Sequence, residues 1–144
     1  MIEYAYDDGG RAAAGFKGSA GDCGVRAMAI AAGIPYREAY DRCNRAAKQE
    51  RPSRGRTKSS ARTGMHRDTF AEALRELGFR WVPTMTVGAG CTVHLRSDEL
   101  PAGRIIARVS KHYTAVIDGV IRDTFDPSRD GDRCVYGYFI RPER

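Results

Sequence analysis

Hydrophobic positions along the chain change period once, and that change divides it into a helical first part and a stranded second part. An alanine-rich run from Arg26 to Ala32 ends at Gly33, the pattern of a short helix with a glycine stop, and Cys23 falls in its first turn behind Gly21 and Asp22. Pro35 opens a second helix over about 36–49, with Tyr36, Ala39, Tyr40 and Cys43 at helical spacing. A third helix is expected over 68–77, where Phe70, Leu74 and Leu77 make one stripe and Gly78 caps the end. Beyond it the pattern alternates, predicting a strand at 79–85, a loop or short strand at 86–96, a turn at 98–101 and a strand at 104–109. His112–Ile117 and Val120–Phe125 flank Asp118-Gly119, the strongest short-range hairpin signal, and Cys134–Ile140 closes the sheet. Ahead of the helices, Ile2–Tyr6 reads as a short strand or extended arm, followed by a loop broken by glycines. Helices first and strands second give an α+β domain, with N-terminal helices packed on a C-terminal antiparallel β-sheet.

Length and composition keep this picture to one unit. The 144 residues make a single domain, 1–144, with 42% hydrophobic and 29% charged residues, as in an ordinary globular chain. No apolar run approaches the roughly 18 residues of a membrane span, and the acidic start does not look like a signal peptide, so a cytoplasmic protein away from membranes is expected. The cysteines, Cys23, Cys43, Cys91 and Cys134, have no C-x-x-C spacing. That argues against a zinc site, and no metal or cofactor is expected. In a reducing compartment the spare cysteines are expected to fill the core rather than form disulfides. Nothing in the pattern indicates an oligomeric state.

Charge changes the picture in one place. Between Arg45 and Asp68 lie eight basic residues against two acids, which accounts for the whole net charge of +6. Within that stretch, residues 50–64 combine Pro, Gly, Ser and charge without apolar period and read as a flexible basic loop. It is expected to be solvated, with Arg51–Arg62 the segment open to an anionic partner such as nucleic acid or an acidic protein. No aromatic is interleaved there for base stacking.

The candidate chemistry centres on Cys23. A helix N-terminus, with its unpaired N–H groups and positive dipole end, favours the nucleophilic thiolate. Asp22, Gly21 and Gly24 suit a thiolate that a substrate backbone must reach. Such a nucleophile needs a base and a third group that orients the base. Of the three histidines, His66 lies in a loop and His94 in a glycine-rich segment, whereas His112 opens a strand of the hairpin and is the candidate base. A two-residue turn at Asp118-Gly119 sets Thr114 opposite Asp123 and puts Asp123 on the His112 face, diagonal to it. A three-residue loop would instead bring Asp126 opposite His112, although Asp126-Pro127-Ser128 also reads as a plain turn. The register of the hairpin thus decides between Asp123, which the two-residue turn favours, and Asp126.

These residues resemble a known family. Asp22-Cys23-Gly24-Val25 at the start of a small-residue helix, His112-Tyr113 heading a strand, and the Asp126-Pro127 step are similar to the papain-like cysteine peptidases. The closest likeness is to the peptidases that remove double-glycine leaders in bacteriocin exporters. Thr63-Gly64 entering a helix that ends in Leu77-Gly78-Phe79, and Leu100-Pro101 before the next strand, extend the likeness over most of residues 17–128. The resemblance implies a papain-like fold and a cysteine peptidase or related thiol acyl hydrolase acting on a peptide or protein substrate. Cys23 would be nucleophile and His112 base, with a third member at Asp126 by its Asp-Pro context or at Asp123, since Asp123-Thr124-Phe125 resembles the family's Asn-Ser-Trp step. Where the family has a glutamine as oxyanion donor this chain has Lys17, so the oxyanion would rest on the Cys23 backbone with Lys17 as a charged substitute. The alternative is an inactive papain-like module that binds through the basic loop.

Overall fold

The computed structural model describes residues 2–18, 20–51, 55, 57–86 and 88–142. Three helices, α1 (Cys23–Ala32), α2 (Tyr36–Lys48) and α3 (Arg67–Arg75), accompany six strands. These are β1 (Glu3–Tyr6), β2 (Arg80–Pro83), β3 (Arg104–Val109), β4 (His112–Ile117), β5 (Val120–Asp123) and β6 (Gly137–Ile140). The strands form one sheet in the order β1-β5-β4-β3-β6-β2. The protein is α+β, as the change of period predicts.

The sheet is mixed, which corrects the expectation of a purely antiparallel one. β1 lies parallel to β5, pairing Glu3 through Tyr6 with Val120 through Asp123, while every other pairing is antiparallel. Burial anchors this N-terminal strand: Ile2 packs into the apolar cluster of Leu95, Ile105, Val116 and Ile121. The Tyr4 hydroxyl and the Asp7 N–H both donate to the Asp123 carbonyl, at 3.2 and 2.9 Å. A four-residue strand with no hairpin partner in sequence leaves little periodic signal.

Apolar residues cover both faces of the sheet. On one, Val25 and Met28 of α1 and Phe70 and Leu74 of α3 pack with Ile106, Tyr113, Ala115 and Phe139. On the other, Leu95, Leu100 and Val135 cover Ile105, Ala107, Val109, Val116 and Ile121. The alternation along β3 and β4 is the period-two pattern of a strand buried on both sides. The hairpin register follows from its turn. Ile117 faces Val120 and Ala115 faces Arg122, with Asp118 at φ 49° and Gly119 at φ 78°, the left-handed pair that a two-residue primed turn requires.

Two expectations about cysteine and loop structure change. Cys91 and Cys134 form a disulfide with Cα atoms 5.9 Å apart, so they are not core fillers; only Cys43 fits that description. The cause is tertiary. Segments 93–95 and 133–135 run side by side, joined by Leu95 N–H to Arg133 O at 2.9 Å and Val135 N–H to Val93 O at 2.8 Å. Of the basic loop, residues 52–54 and 56 lie outside the described residues, and with them Arg54 and Arg56. Residues 57–64 are pinned. Glu50 accepts the Ser59 N–H at 2.9 Å and also binds the Ser59 and Thr69 hydroxyls, the Ala61 N–H donates to Asn44 Oδ1 at 2.9 Å, and Ser60 bridges to Gly64.

Candidate active site

Cys23 is the first residue of α1, and His112 is the first residue of β4. The structure brings both to one cleft of about 360 Å³, walled by Gly21 and the Thr63–Met65 segment on one side and by Arg108, Lys111 and Phe125 on the other. His112 is 8% exposed, and its Nε2 lies 2.7 Å from Asp123 Oδ2. With that nitrogen committed to the carboxylate, Nδ1 is the ring nitrogen left for the Cys23 sulfur, which lines the same cleft. The exposed Phe125 ring lies against the His112 ring at 5.0 Å between centroids.

Asp123, not Asp126, meets the histidine. In the two-residue register Thr114 projects beside Asp123, and its hydroxyl donates to the same Oδ2 at 2.8 Å, while the Thr124 N–H donates to Oδ1 at 2.7 Å. Asp126 is exposed and accepts the Ser128 N–H at 2.9 Å, closing a plain Asx turn. Lys17 is also corrected. Its side chain is exposed and does not line the cleft, because Arg11 folds the 11–18 loop outward by donating to the carbonyls of Lys17 and Gly18, at 3.3 and 2.7 Å. His66 and His94 stay apart, on the Thr57 carbonyl and on Glu99.

Sequence reasoning missed the group behind the nucleophile. Asp22 is 2% exposed and binds three partners: Arg26 on the next turn of α1, the Tyr36 hydroxyl at 2.5 Å and Arg11 Nε at 3.1 Å. Arg26 also approaches Asp123 Oδ1 at 3.6 Å, so one guanidinium links the residue before the nucleophile to the carboxylate behind the base. An i, i+4 Asp-Arg pair was visible in the sequence, but Tyr36 and Arg11 join it only through the fold. Being committed to these partners, the Asp22 side chain makes no cap to the first turn of α1. The N–H groups of the first turn of α1 are thus left without a side-chain cap from Asp22, and unpaired helix-start N–H groups favour anions.

The glycines beside Cys23 serve packing more than substrate approach. A Cβ at Gly21 would come within 2.8 Å of the Thr63 carbonyl, and one at Gly24 within 3.3 Å of the Phe70 ring.

Electrostatics set the sulfur apart. Burial pushes the Cys23 thiol up, but the hydrogen bond and charge of His112, the Tyr113 N–H and the charge of Arg26 outweigh it and bring the thiol below its ordinary value. Burial alone would lower His112; its bonds to Asp123 and Cys23 instead raise it to about 9. Asp123 is held below the usual carboxylate range despite its burial, chiefly by His112 and then by Thr114 and Thr124. A lowered thiol beside a raised imidazole favours the thiolate–imidazolium form of the pair over the neutral one.

Among the described residues, no cluster of His, Cys, Asp and Glu is arranged to hold a metal ion, and no helix is long and apolar enough to cross a membrane. Comparison of the chain with protein families, with curated proteins and with solved structures gives no match in any of the three.

Proposed function

We propose that the protein is a cysteine peptidase, or a related thiol acyl hydrolase, of the papain-like type. The observation that carries this reading is that Cys23 and the His112–Asp123 pair open on one cleft, with the Nε2 to Oδ2 contact at 2.7 Å. In the reaction, the Cys23 thiolate attacks the carbonyl carbon of a peptide or amide and forms a C–S bond. The oxyanion so formed faces the Cys23 N–H at the start of α1, where the helix dipole favours negative charge. His112 gives its Nδ1 proton to the leaving nitrogen as the C–N bond breaks. It then takes a proton from water, whose oxygen attacks the thioester, releasing the acid and restoring the thiolate. Asp123 keeps the ring oriented and stabilises the imidazolium throughout. Peptidase, isopeptidase and amidase chemistry share this scheme, and the fold does not choose among them.

The Cys91–Cys134 disulfide weighs against the cytosolic placement expected from the sequence, because structural disulfides persist in oxidising compartments.

The test is the pH dependence of iodoacetamide labelling, mapped by mass spectrometry, in wild type and His112→Ala. In wild type Cys23 should label selectively with an apparent pKa well below about 8.5, and the histidine variant should lose about 10²-fold or more in rate near pH 6. A Cys23 that reacts no faster than an ordinary thiol and ignores the loss of His112 would turn attention to the alternative, an inactive module that binds through Arg51 and its neighbours.

A further inference from the structure

Besides His112, three cationic side chains, Arg26, Arg108 and Lys111, line the Cys23 cleft, and the carboxylate that lines it with them is Asp22. Asp22 is buried and consumed by Arg11, Arg26 and Tyr36, so the charge of Arg26 is already answered. Arg108 and Lys111 are not. Among the described residues, no carboxylate lies within ion-pair distance of either.

Their placement suits a ligand. Both lie where β3 passes into β4 and delivers His112: Arg108 is in β3, paired with Tyr113 across the ladder, and Lys111 sits at the tip of the turn with φ 58°, exposed. The Arg108 guanidinium lies over the Tyr113 ring, 4.4 Å from its centroid. Stacking of that kind fixes the plane of the group and leaves its N–H edge for two parallel bonds to a carboxylate. The Thr63-Gly64-Met65 segment that also lines the cleft carries no charge.

We propose that this is a carboxylate subsite, so that the preferred substrate is a peptide bearing a carboxylate close to the bond attacked by Cys23. The proposal rests on the peptidase reading and names the substrate class for it. The carboxylate comes either from an Asp or Glu side chain or from the substrate's C-terminus. Two partly solvated cations at this range favour the anionic substrate over its neutral analogue by about 10-fold, and salt weakens the preference.

The experiment uses the full chain and two alkylating reagents of similar size, neutral iodoacetamide and anionic iodoacetate, with the modified residue read by mass spectrometry. The ratio of the iodoacetate rate to the iodoacetamide rate at Cys23 is compared in wild type, Lys111→Gln and Arg108→Gln. His112 and Arg26 are common to all three, so their attraction for the anion cancels. The ratio is expected to fall about 3- to 10-fold in each variant, and in wild type to fall with added salt. An unchanged ratio in Lys111→Gln overturns the proposal, and because Lys111 is exposed that arm does not depend on how well Arg108→Gln folds. The neutral reagent reports on the Cys–His pair separately. A slow Cys23 overturns the peptidase reading, whereas a fast Cys23 with an unchanged ratio overturns only the subsite. Paired substrates then separate the two sources, Glu against Gln beside the bond and free acid against amide at the C-terminus. A preference of about 10-fold that Lys111→Gln removes assigns the source in whichever pair shows it. No preference in either pair overturns the proposal.

Discussion

Cys23 and Cys43 border the same apolar cluster, yet the protein makes opposite use of their sulfurs. Cys43 lies in α2 with no exposure, and burial alone pushes its thiol up to about 12. Burial also pushes the Cys23 thiol up, but His112, the Tyr113 N–H and Arg26 reverse it. The difference shows that helix and core membership do not decide cysteine chemistry. A donor and a charge aimed at the sulfur do; His112 and the Tyr113 N–H arrive from β4, distant in sequence, while Arg26 stands within α1 itself.

The strongest way to break this contrast is through Asp123. Asp123→Asn keeps the size of the side chain and removes its charge, so His112 should lose its elevation and kcat/KM on any cleaved peptide should fall about 10³-fold. In wild type the alkaline limb of activity should lie near the His112 value of about 9, and in the variant it should move down. A pH-rate profile unchanged by the substitution would remove Asp123 from the proposed mechanism. Next in size is Asp22→Asn. It leaves Arg11 and Arg26 without their buried anion, and urea unfolding should show a loss of about 3 kcal/mol. The smallest effect is expected from Cys43→Ala, about 1 kcal/mol of stability for a slightly underfilled core. Its Cys23 labelling rate should match wild type, and a change there would mean that the two sulfurs are not independent.

Acid and alkali should act on the site from opposite sides. Asp123 is depressed in the fold, so its contribution to stability is present above the ordinary carboxylate value and is lost as pH falls through the folded one. His112 is raised, so its contribution is complete below about 6.5 and is lost as pH rises through about 9.

Local pattern was legible where neighbours in sequence are neighbours in space. The three helices follow their apolar spacing, Gly33 and Gly78 stand at positive φ, and Asp118-Gly119 sets the register that puts Thr114 beside Asp123. What escaped the sequence depends on approach between distant segments. The parallel β1, the Cys91–Cys134 pair, the Arg11 and Tyr36 contacts to Asp22, and the crowding that makes residues 21 and 24 glycine have no periodic or spacing signal. Lys17 misled for the same reason. Its distance from Cys23 along the chain was right for a cleft residue, but Arg11 holds the Lys17 and Gly18 carbonyls and the Lys17 side chain stays exposed, outside the cleft lining.

The disulfide divides the candidate site by topology. Cys91 and Cys134 are 43 residues apart, and the chain between them contains β3, β4 and β5, hence both His112 and Asp123. His112 and Asp123 are thus enclosed in a covalent ring, while Cys23 and its helix lie outside it. Closing a ring of this length removes about 4 kcal/mol of loop entropy from the unfolded chain on the chain-entropy view. That benefit falls on the hairpin. The candidate site is thus an assembly of two topological parts, and Cys23 meets His112 only where α1 docks against the ring.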